Sequence, residues 1–439
     1  MKTSSAAPPV KKAAATRGRQ PAAARGKTPT TVRGALEQLL APGAAPAPVA
    51  GFRWASVEAG IKKRGGLDLA LLVADRPVPT AAVFTRSLVK AAPVLVAAER
   101  TKSGLAQAVL INAGCANAAT GKPGLAATRE SSAAVALALG IDAKLVVPMS
   151  TGVIGVLLPT EKLVAHAARL VGAASADGLE GFSRAIMTTD RGPKVVEAEA
   201  RVGGKRVRIV GVAKGAGMIH PDMATTLACV VTDARLSAPL LRRALREATG
   251  ATFNALTVDG DTSTNDTIVA MASGAAGNTA VRAGDAGHRA FTKALTEVLG
   301  GLGRLIVADG EGAEHLVTIR VEGAPSAKGA KDVARTIATS NLVKTALYGK
   351  DPNWGRILAA AGRAGVKFEP ARAELRVDDV VLVSRGLAVG GDTDARAHEV
   401  MLRAEYEFTL RLGAGKHSAT YLTCDLGPEY VRINADYRS

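Results

Sequence analysis

Aromatic residues make up only 3% of the 439-residue chain, so a nucleic-acid surface built on base stacking is poorly supplied. The three cysteines, Cys115, Cys229 and Cys424, lie far apart with no paired spacing. That argues against a disulfide framework or a zinc knuckle and points to a reducing cytoplasm. Six histidines are scattered without ligand spacing, so neither a metal nor a tightly bound cofactor is expected. No apolar run approaches the roughly 20 residues of a membrane span, and no secretory hydrophobic region is seen. Acidic residues are missing altogether from residues 1–36, which hold Lys2, Lys11, Lys12, Arg17, Arg19, Arg25, Lys27 and Arg33. Roughly half of the formal net charge of +17 therefore sits in that stretch, and the remainder of the chain does not demand a polyanionic partner.

What is abundant is small and aliphatic. With 47% hydrophobic residues and 47 glycines, the core must be built from Val, Leu, Ile and Ala, and the length suits two or three units or one intertwined fold. Residues 1–46 are rich in Pro, Ala and Lys/Arg and are expected to be a disordered basic tail. Their charge resembles that of a transit peptide, but Pro8, Pro9, Pro21 and Pro29 interrupt any amphipathic helix.

From Gly51 onward short apolar runs alternate with glycine and charged turns, as in consecutive strands. A helix is predicted from about Pro123 to Leu139, stopped by Gly140. "AKLVVPMSTGVIGVLLP" reads as strand, turn, strand. In "RVRIVGVAK", Val207 and Ile209 share one face and Arg206 and Arg208 the other, a half-buried strand. Ser237 is a candidate N-cap for "APLLRRALREATG". "GHRAFTKALTEVLGG" reads as a helix followed by the strand "RLIVAD". Two further helices are predicted, in "AKDVARTIATSNLVKTALYG" and in "NWGRILAAAG", and the last 60 or so residues read as antiparallel strands. Strands and helices do not alternate strictly, which favours a layered α+β architecture over a doubly wound sheet.

The segment "KGAGMIHPDMATTLACVVTDA", Lys214 to Ala234, joins a glycine-loosened turn to a buried strand. In it Ala224 precedes the hydroxyl residue Thr225. A hydroxyl is a weak nucleophile until a base takes its proton. An α-amino group, with a pKa of about 7.7–8.0, is substantially neutral near neutral pH, so a threonine that becomes an N-terminus carries its own base. On residue types alone the alternative, a turn feeding a core strand, stays open.

The segment resembles the self-cleavage region of the ornithine acetyltransferase family of arginine biosynthesis, also called bifunctional glutamate N-acetyltransferase. "GIKKRGGLDLALLVAD", "VFTRSLVKAAPV", "STGVIG", "AIMTTD", "TVDGDTSTND", "DGEG", "SNLVKTALYGKDPNWGRI" and "YVRINADYRS" agree in order from about Gly51 to Ser439. The resemblance implies cleavage between Ala224 and Thr225, with fragments 47–224 and 225–439 remaining intertwined as a heterotetramer of two of each. It implies Thr225 as nucleophile, Thr151 and Gly152 as the oxyanion hole, and Thr188, Lys214, Thr225, Glu311, Asn434 and Ser439 as substrate-binding positions. The implied reaction moves acetyl from N-acetylornithine to glutamate through an acetyl-threonine; some family members also use acetyl-CoA. The implied fold is the family's helix and sheet sandwich, shared with self-processing aminopeptidases. Departures from the family's usual wording are Ala113, Cys115, His220 and Asp222.

Other motifs read more plainly. Cys229 is expected to be a small core residue, His220 a solvated turn histidine, and Trp354 the anchor of a structural turn. "VDGDTSTND" lacks the alternation and closing Glu of a calcium loop and is expected to form a self-hydrogen-bonded turn. Two other functions remain as alternatives: an aminopeptidase or amidase that releases the acyl group to water, and a basic protein binding nucleic acid or acidic partners through its tail.

Overall fold

In β6 (Lys205–Lys214), Val207 and Ile209 are buried while Arg206 is exposed, so the strand follows the alternation of its sequence. The computed structural model describes residues 36, 40, 46–220 and 226–435. Upstream of β6 lie β1 (Phe52–Val57), β2 (Leu69–Phe84), β3 (Leu105–Cys115), β4 (Val146–Val153) and β5 (Lys194–Val202). Downstream come β7 (Leu227–Thr232) and β8 (Thr267–Ala272). All eight form one sheet in the order β4-β3-β2-β8-β7-β6-β5, with β1 paired to β2. Strands from before and after position 225 thus interleave: β7 is flanked by β6 on one side and β8 on the other.

The sheet folds over on itself because β2 changes partners along its length. Its first half pairs with β1 and β3 and its second half, Thr80 to Phe84, with β8. The register breaks between Val73 and Val78, across Pro77, which has no N–H to donate. Val210, Val212, Leu227, Cys229, Val231, Val269 and Met271 from one half meet Phe52, Trp54, Ala70 and Leu72 from the other. Phe182 packs edge-on to Trp54 in this central layer, with centroids 4.8 Å apart. Helices Gly121–Leu139 and Thr160–Gly172 cover Leu69, Leu71 and Val73 on one outer face. Helices Ala238–Ala251 and Ala286–Ala308 cover Ile209, Ala228, Val230 and Ile268 on the other. The result is a four-layer sandwich of helix, sheet, sheet and helix.

A second sheet, ordered β12-β11-β10-β13-β9-β14, contains β9 (Leu316–Ala324), β10 (Glu374–Val377), β11 (Val380–Ser384), β12 (Leu387–Ala388), β13 (Glu405–Arg411) and β14 (His417–Cys424). Helices Ala327–Ala338 and Trp354–Gly362 pack on it. Leu316 and Cys424 join it to the core under helix Ala286–Ala308.

Several sequence expectations are corrected. "RLIVAD" is not a strand: it is the end of helix Ala286–Ala308, one face of which buries Leu302, Ile306 and Val307. The second strand expected after "STG" does not form, and Val156 and Leu157 are exposed there. The C-terminal region is not purely antiparallel, since β13 runs parallel to β9 and helices Thr393–Met401 and Pro428–Ala435 interrupt it. Ser237 stands at the N-cap position but its side chain makes no cap bond. Trp354 opens a helix whose cap is Asn353, the side chain accepting from Arg356 N–H. Among the described residues no helix is long and apolar enough to cross a membrane.

The boundary expected for the basic tail also moves. Leu36 and Leu40 are helical and buried, Leu36 within the core that holds Phe253 and Phe291; the expected disorder of residues 1–35 lies outside the described residues. Burying a leucine contributes about 1.5–3 kcal/mol. A chain beginning at Ala47 is therefore expected to unfold at a lower temperature than one beginning at Thr31. Equal thermal midpoints would contradict the anchoring role of Leu36.

Candidate active site

Lys214 ends β6, where its strand partner is Leu227, the first residue of β7. Its ammonium donates to the Thr188 hydroxyl at 2.8 Å and to the Thr151 hydroxyl at 3.3 Å, and it lies 4.0 Å from an Asp190 carboxylate oxygen. Three residues named from separate motifs therefore meet. The Thr226 hydroxyl donates to the Lys214 carbonyl, and Thr267 N–H donates to the Thr226 carbonyl at 2.9 Å, so the chain re-enters the sheet beside this cluster. Ala224 and Thr225 themselves lie outside the described residues, as does Ser439.

Gly152 follows Thr151 at the end of β4 with φ of 132°, a conformation that L side chains rarely adopt. A Cβ there would also run into the backbone of Gly114 and Cys115. Asn265 ties this corner together: its amide donates to the Ser150 carbonyl at 2.8 Å and to Ala116 at 2.7 Å.

Glu311 and Asn434 form a second group. The Asn434 amide donates to a Glu311 carboxylate oxygen at 2.8 Å. Glu311 is buried, and its N–H donates to the Ala216 carbonyl at 2.9 Å. The carboxylate packs directly on Gly217, where a Cβ would overlap it. An ammonium and a carboxylate thus border the same Lys214–Gly217 turn. The first suits an anionic or developing oxyanion group, the second an amine.

A buried ion cluster that sequence reading missed lies beneath. The Lys194 ammonium, fully withdrawn from solvent, donates to Asp190 at 2.7 Å and to Asp309 at 2.5 Å. Asp190 also accepts Gly215 N–H at 2.6 Å and Thr188 N–H at 2.9 Å. Burial alone would raise the Asp190 carboxyl, but Lys194, Lys214 and these hydrogen bonds outweigh it and hold the group well below the usual carboxylate range. Burial would lower Lys194, yet Asp190 and Asp309 raise it. A depressed acid contributes stability above its unfolded pKa of about 3.9, lost as pH falls. A raised lysine contributes it below about 10.4, lost as pH rises, so the pair is stabilising across the neutral range.

Lys62, also missed, lies in the quoted "GIKK"; it donates to the Leu67 carbonyl at 2.7 Å, and burial lowers its pKa against the pull of Asp68 and Asp190. Asp266 is buried with one carboxylate oxygen lacking a hydrogen bond, and burial raises it well above the usual range.

The "VDGDTSTND" turn does more than bond to itself. Asp259 accepts Met218 N–H at 2.5 Å and Ile219 N–H at 2.8 Å as well as its own Asp261 N–H, and so clasps the turn after Gly217. His220 is half-buried, facing the Thr257 hydroxyl at 3.3 Å, which corrects the solvated reading. Cys229 is a core residue, its thiol pushed up to about 12 by burial. Glu314, His315 and Asp425 stand close enough to suggest a metal. Asp425 accepts the N–H groups of Glu314 and His315 at 2.9 and 3.0 Å, Lys350 pairs with Glu314 at 3.0 Å, and His315 Nδ1 lies 3.3 Å from the other Asp425 oxygen while its buried Nε2 makes no hydrogen bond. A cavity of about 410 Å³ lined by Arg76, Arg235 and Ser273 shares no residue with the Lys214 cluster.

A family model described as the ArgJ family matches residues 53–439. The "Arginine biosynthesis bifunctional protein ArgJ" of Geobacter sulfurreducens is 49% identical over 391 residues, covering 89% of this chain and 100% of the relative. Its namesake from Symbiobacterium thermophilum is 46% identical over 399 residues, covering 90% and 99%. Among solved structures, ornithine acetyltransferase complexed with ornithine from Mycobacterium tuberculosis is 40% identical, covers 40% of this chain and 94% of its own, and has a TM-score of 0.36.

Because the Glu311 side chain can swing away from a new methyl group, Gly217→Ala is expected to fold normally. By displacing that carboxylate it should lower kcat/KM for acetyl transfer by about tenfold or more, while His220→Ala keeps most of the activity. The reverse ranking in a steady-state assay would contradict these assignments.

Proposed function

The chain belongs to the ArgJ family, and on that premise we propose that it transfers acetyl from N-acetylornithine to glutamate, giving ornithine and N-acetylglutamate in arginine biosynthesis. It is a glutamate N-acetyltransferase acting on small molecules. The "bifunctional" in the relatives' names supports a second activity, acetylation of glutamate from acetyl-CoA.

In this reading the Thr225 hydroxyl attacks the Ala224 carbonyl, the amide becomes an ester, and water cleaves it. The freed α-amine, with a pKa of about 7.7–8.0, is the base for the same hydroxyl. The hydroxyl next attacks the acetyl carbonyl of N-acetylornithine, Thr151 and Gly152 stabilise the oxyanion, and ornithine leaves. The glutamate amine then takes the acetyl group from the threonine ester. Lys214 and Thr188 hold a substrate carboxylate or assist at the oxyanion; Glu311, Asn434 and Ser439 receive the substrate amine and its surroundings.

The observation that carries these roles is the meeting of Thr151 and Thr188 at the Lys214 ammonium, beside the point where Thr226 re-enters the sheet. The pairing of β6 with β7 across the cleavage segment supports two fragments that stay intertwined, and a heterotetramer of two of each is their proposed assembly. Three buried free cysteines favour a cytoplasmic location.

Purified protein should run as two pieces on denaturing gels, the second beginning at Thr225 by N-terminal sequencing. Thr225→Ala is expected to stay full length and inactive, and Thr225→Ser to cut. Wild-type protein that is active yet entirely uncut would overturn this reading.

A further inference from the structure

The three arms that carry the proposed substrate contacts converge on one ion cluster. The loop holding Thr188 leads directly into Asp190, whose carboxylate accepts Thr188 N–H at 2.9 Å. The other oxygen of the same carboxylate accepts Gly215 N–H at 2.6 Å, the residue after Lys214. The third arm, bearing Glu311, begins at Asp309 as helix Ala286–Ala308 ends. Lys194 spans the gap, 2.7 Å from Asp190 and 2.5 Å from Asp309. Arg191 locks the far side: its N–H and guanidinium donate to Asp309 at 3.0 and 2.9 Å, and the guanidinium donates to the Ala308 carbonyl at 2.7 Å.

We infer that the Asp190–Lys194–Asp309 cluster is the positioning device of this site, with Asp190 fixing where the Lys214 ammonium and Thr188 hydroxyl stand and Lys194 joining them to the Glu311 arm. The inference rests on the roles proposed above for Lys214 and Thr188. A purely structural role accounts poorly for the arrangement. Buried ion pairs are often replaceable by apolar groups without loss of stability, yet this one spends both oxygens of Asp190 on the backbone N–H groups at Thr188 and Gly215. The charged groups around Asp190 are Lys194, Lys214 and Lys62, with Asp309 and Arg191 behind Lys194. Of these three lysines Lys214 alone reaches the Thr151 and Thr188 hydroxyls, so the charge of Asp190 acts on the reaction through Lys214.

A double-mutant cycle on the self-processed enzyme tests this, read as kcat/KM for N-acetylornithine, which isolates the first half of the transfer. Asp190→Asn removes the charge and one acceptor in little changed volume. It is expected to lower kcat/KM by about tenfold or more when Lys214 is present, and by less than about twofold in a Lys214→Ala background. Independent, multiplicative losses would overturn the inference, as would full activity of Asp190→Asn. Full activity of Lys214→Ala alone would instead remove the functional reading on which the inference rests. Thermal midpoints establish that each variant is folded. If Asp190→Asn does not fold, the cycle with Asp309→Asn in Lys214→Ala and Glu311→Gln backgrounds decides: a loss that shrinks in either background supports positioning, and one that stays multiplicative in both overturns it.

Discussion

A lysine ammonium completely withdrawn from water is tolerable only if it is neutralised where it lies, and Lys194 meets that condition with two buried carboxylates. The constraint is severe because those carboxylates come from chain segments more than 100 residues apart. Satisfying it fixes the loop before β5, the end of β6 and the end of helix Ala286–Ala308 in one mutual arrangement. Thr188, Lys214 and Glu311 each sit within two residues of a member of the cluster or of a backbone group it holds. The acyl-transfer chemistry therefore inherits its geometry from a requirement of electrostatics.

Around that centre the sheet solves a different problem. A chain that cuts itself at an internal bond, as proposed for this one, must keep its halves together without covalent help. Interleaving β2, β8, β7 and β6 distributes backbone hydrogen bonds across the division, and the central layer of Val, Leu, Met and Cys side chains packs residues from both sides of it. Asp259, from beyond the division, holds the Met218–Ile219 turn before it. The bonds from Thr226 to the Lys214 carbonyl and from Met218 and Ile219 to Asp259 are thus also contacts between the proposed fragments.

Much of this was legible in the residues. The alternation of Val207 and Ile209 with Arg206 marked β6, and Gly140, with φ of 70°, stops the helix expected before it. Thr151, Thr188 and Lys214 could be named from motifs, and they do meet. Other features were hidden for physical reasons. "RLIVAD" is a short apolar run, and such a run does not tell strand from buried helix; helix Ala286–Ala308 simply continues through it. Leu36 and Leu40 stand in a stretch rich in Pro, Ala and Lys/Arg, and two leucines do not make a periodicity that would mark an anchor. Asp190 and Asp309 stand in the quoted motifs "AIMTTD" and "DGEG", and nothing local to either signals a lysine that reaches both.

The central claim is that the Thr225 hydroxyl carries the acetyl group between donor and acceptor. Mass spectrometry of protein incubated with N-acetylornithine in the absence of glutamate addresses it directly. The expected result is one acetyl group on the peptide beginning at Thr225, hydroxylamine-labile as an ester should be, and discharged on adding glutamate. Active protein that forms no such adduct, or bears a glutamate-dischargeable acetyl group elsewhere, would contradict the account.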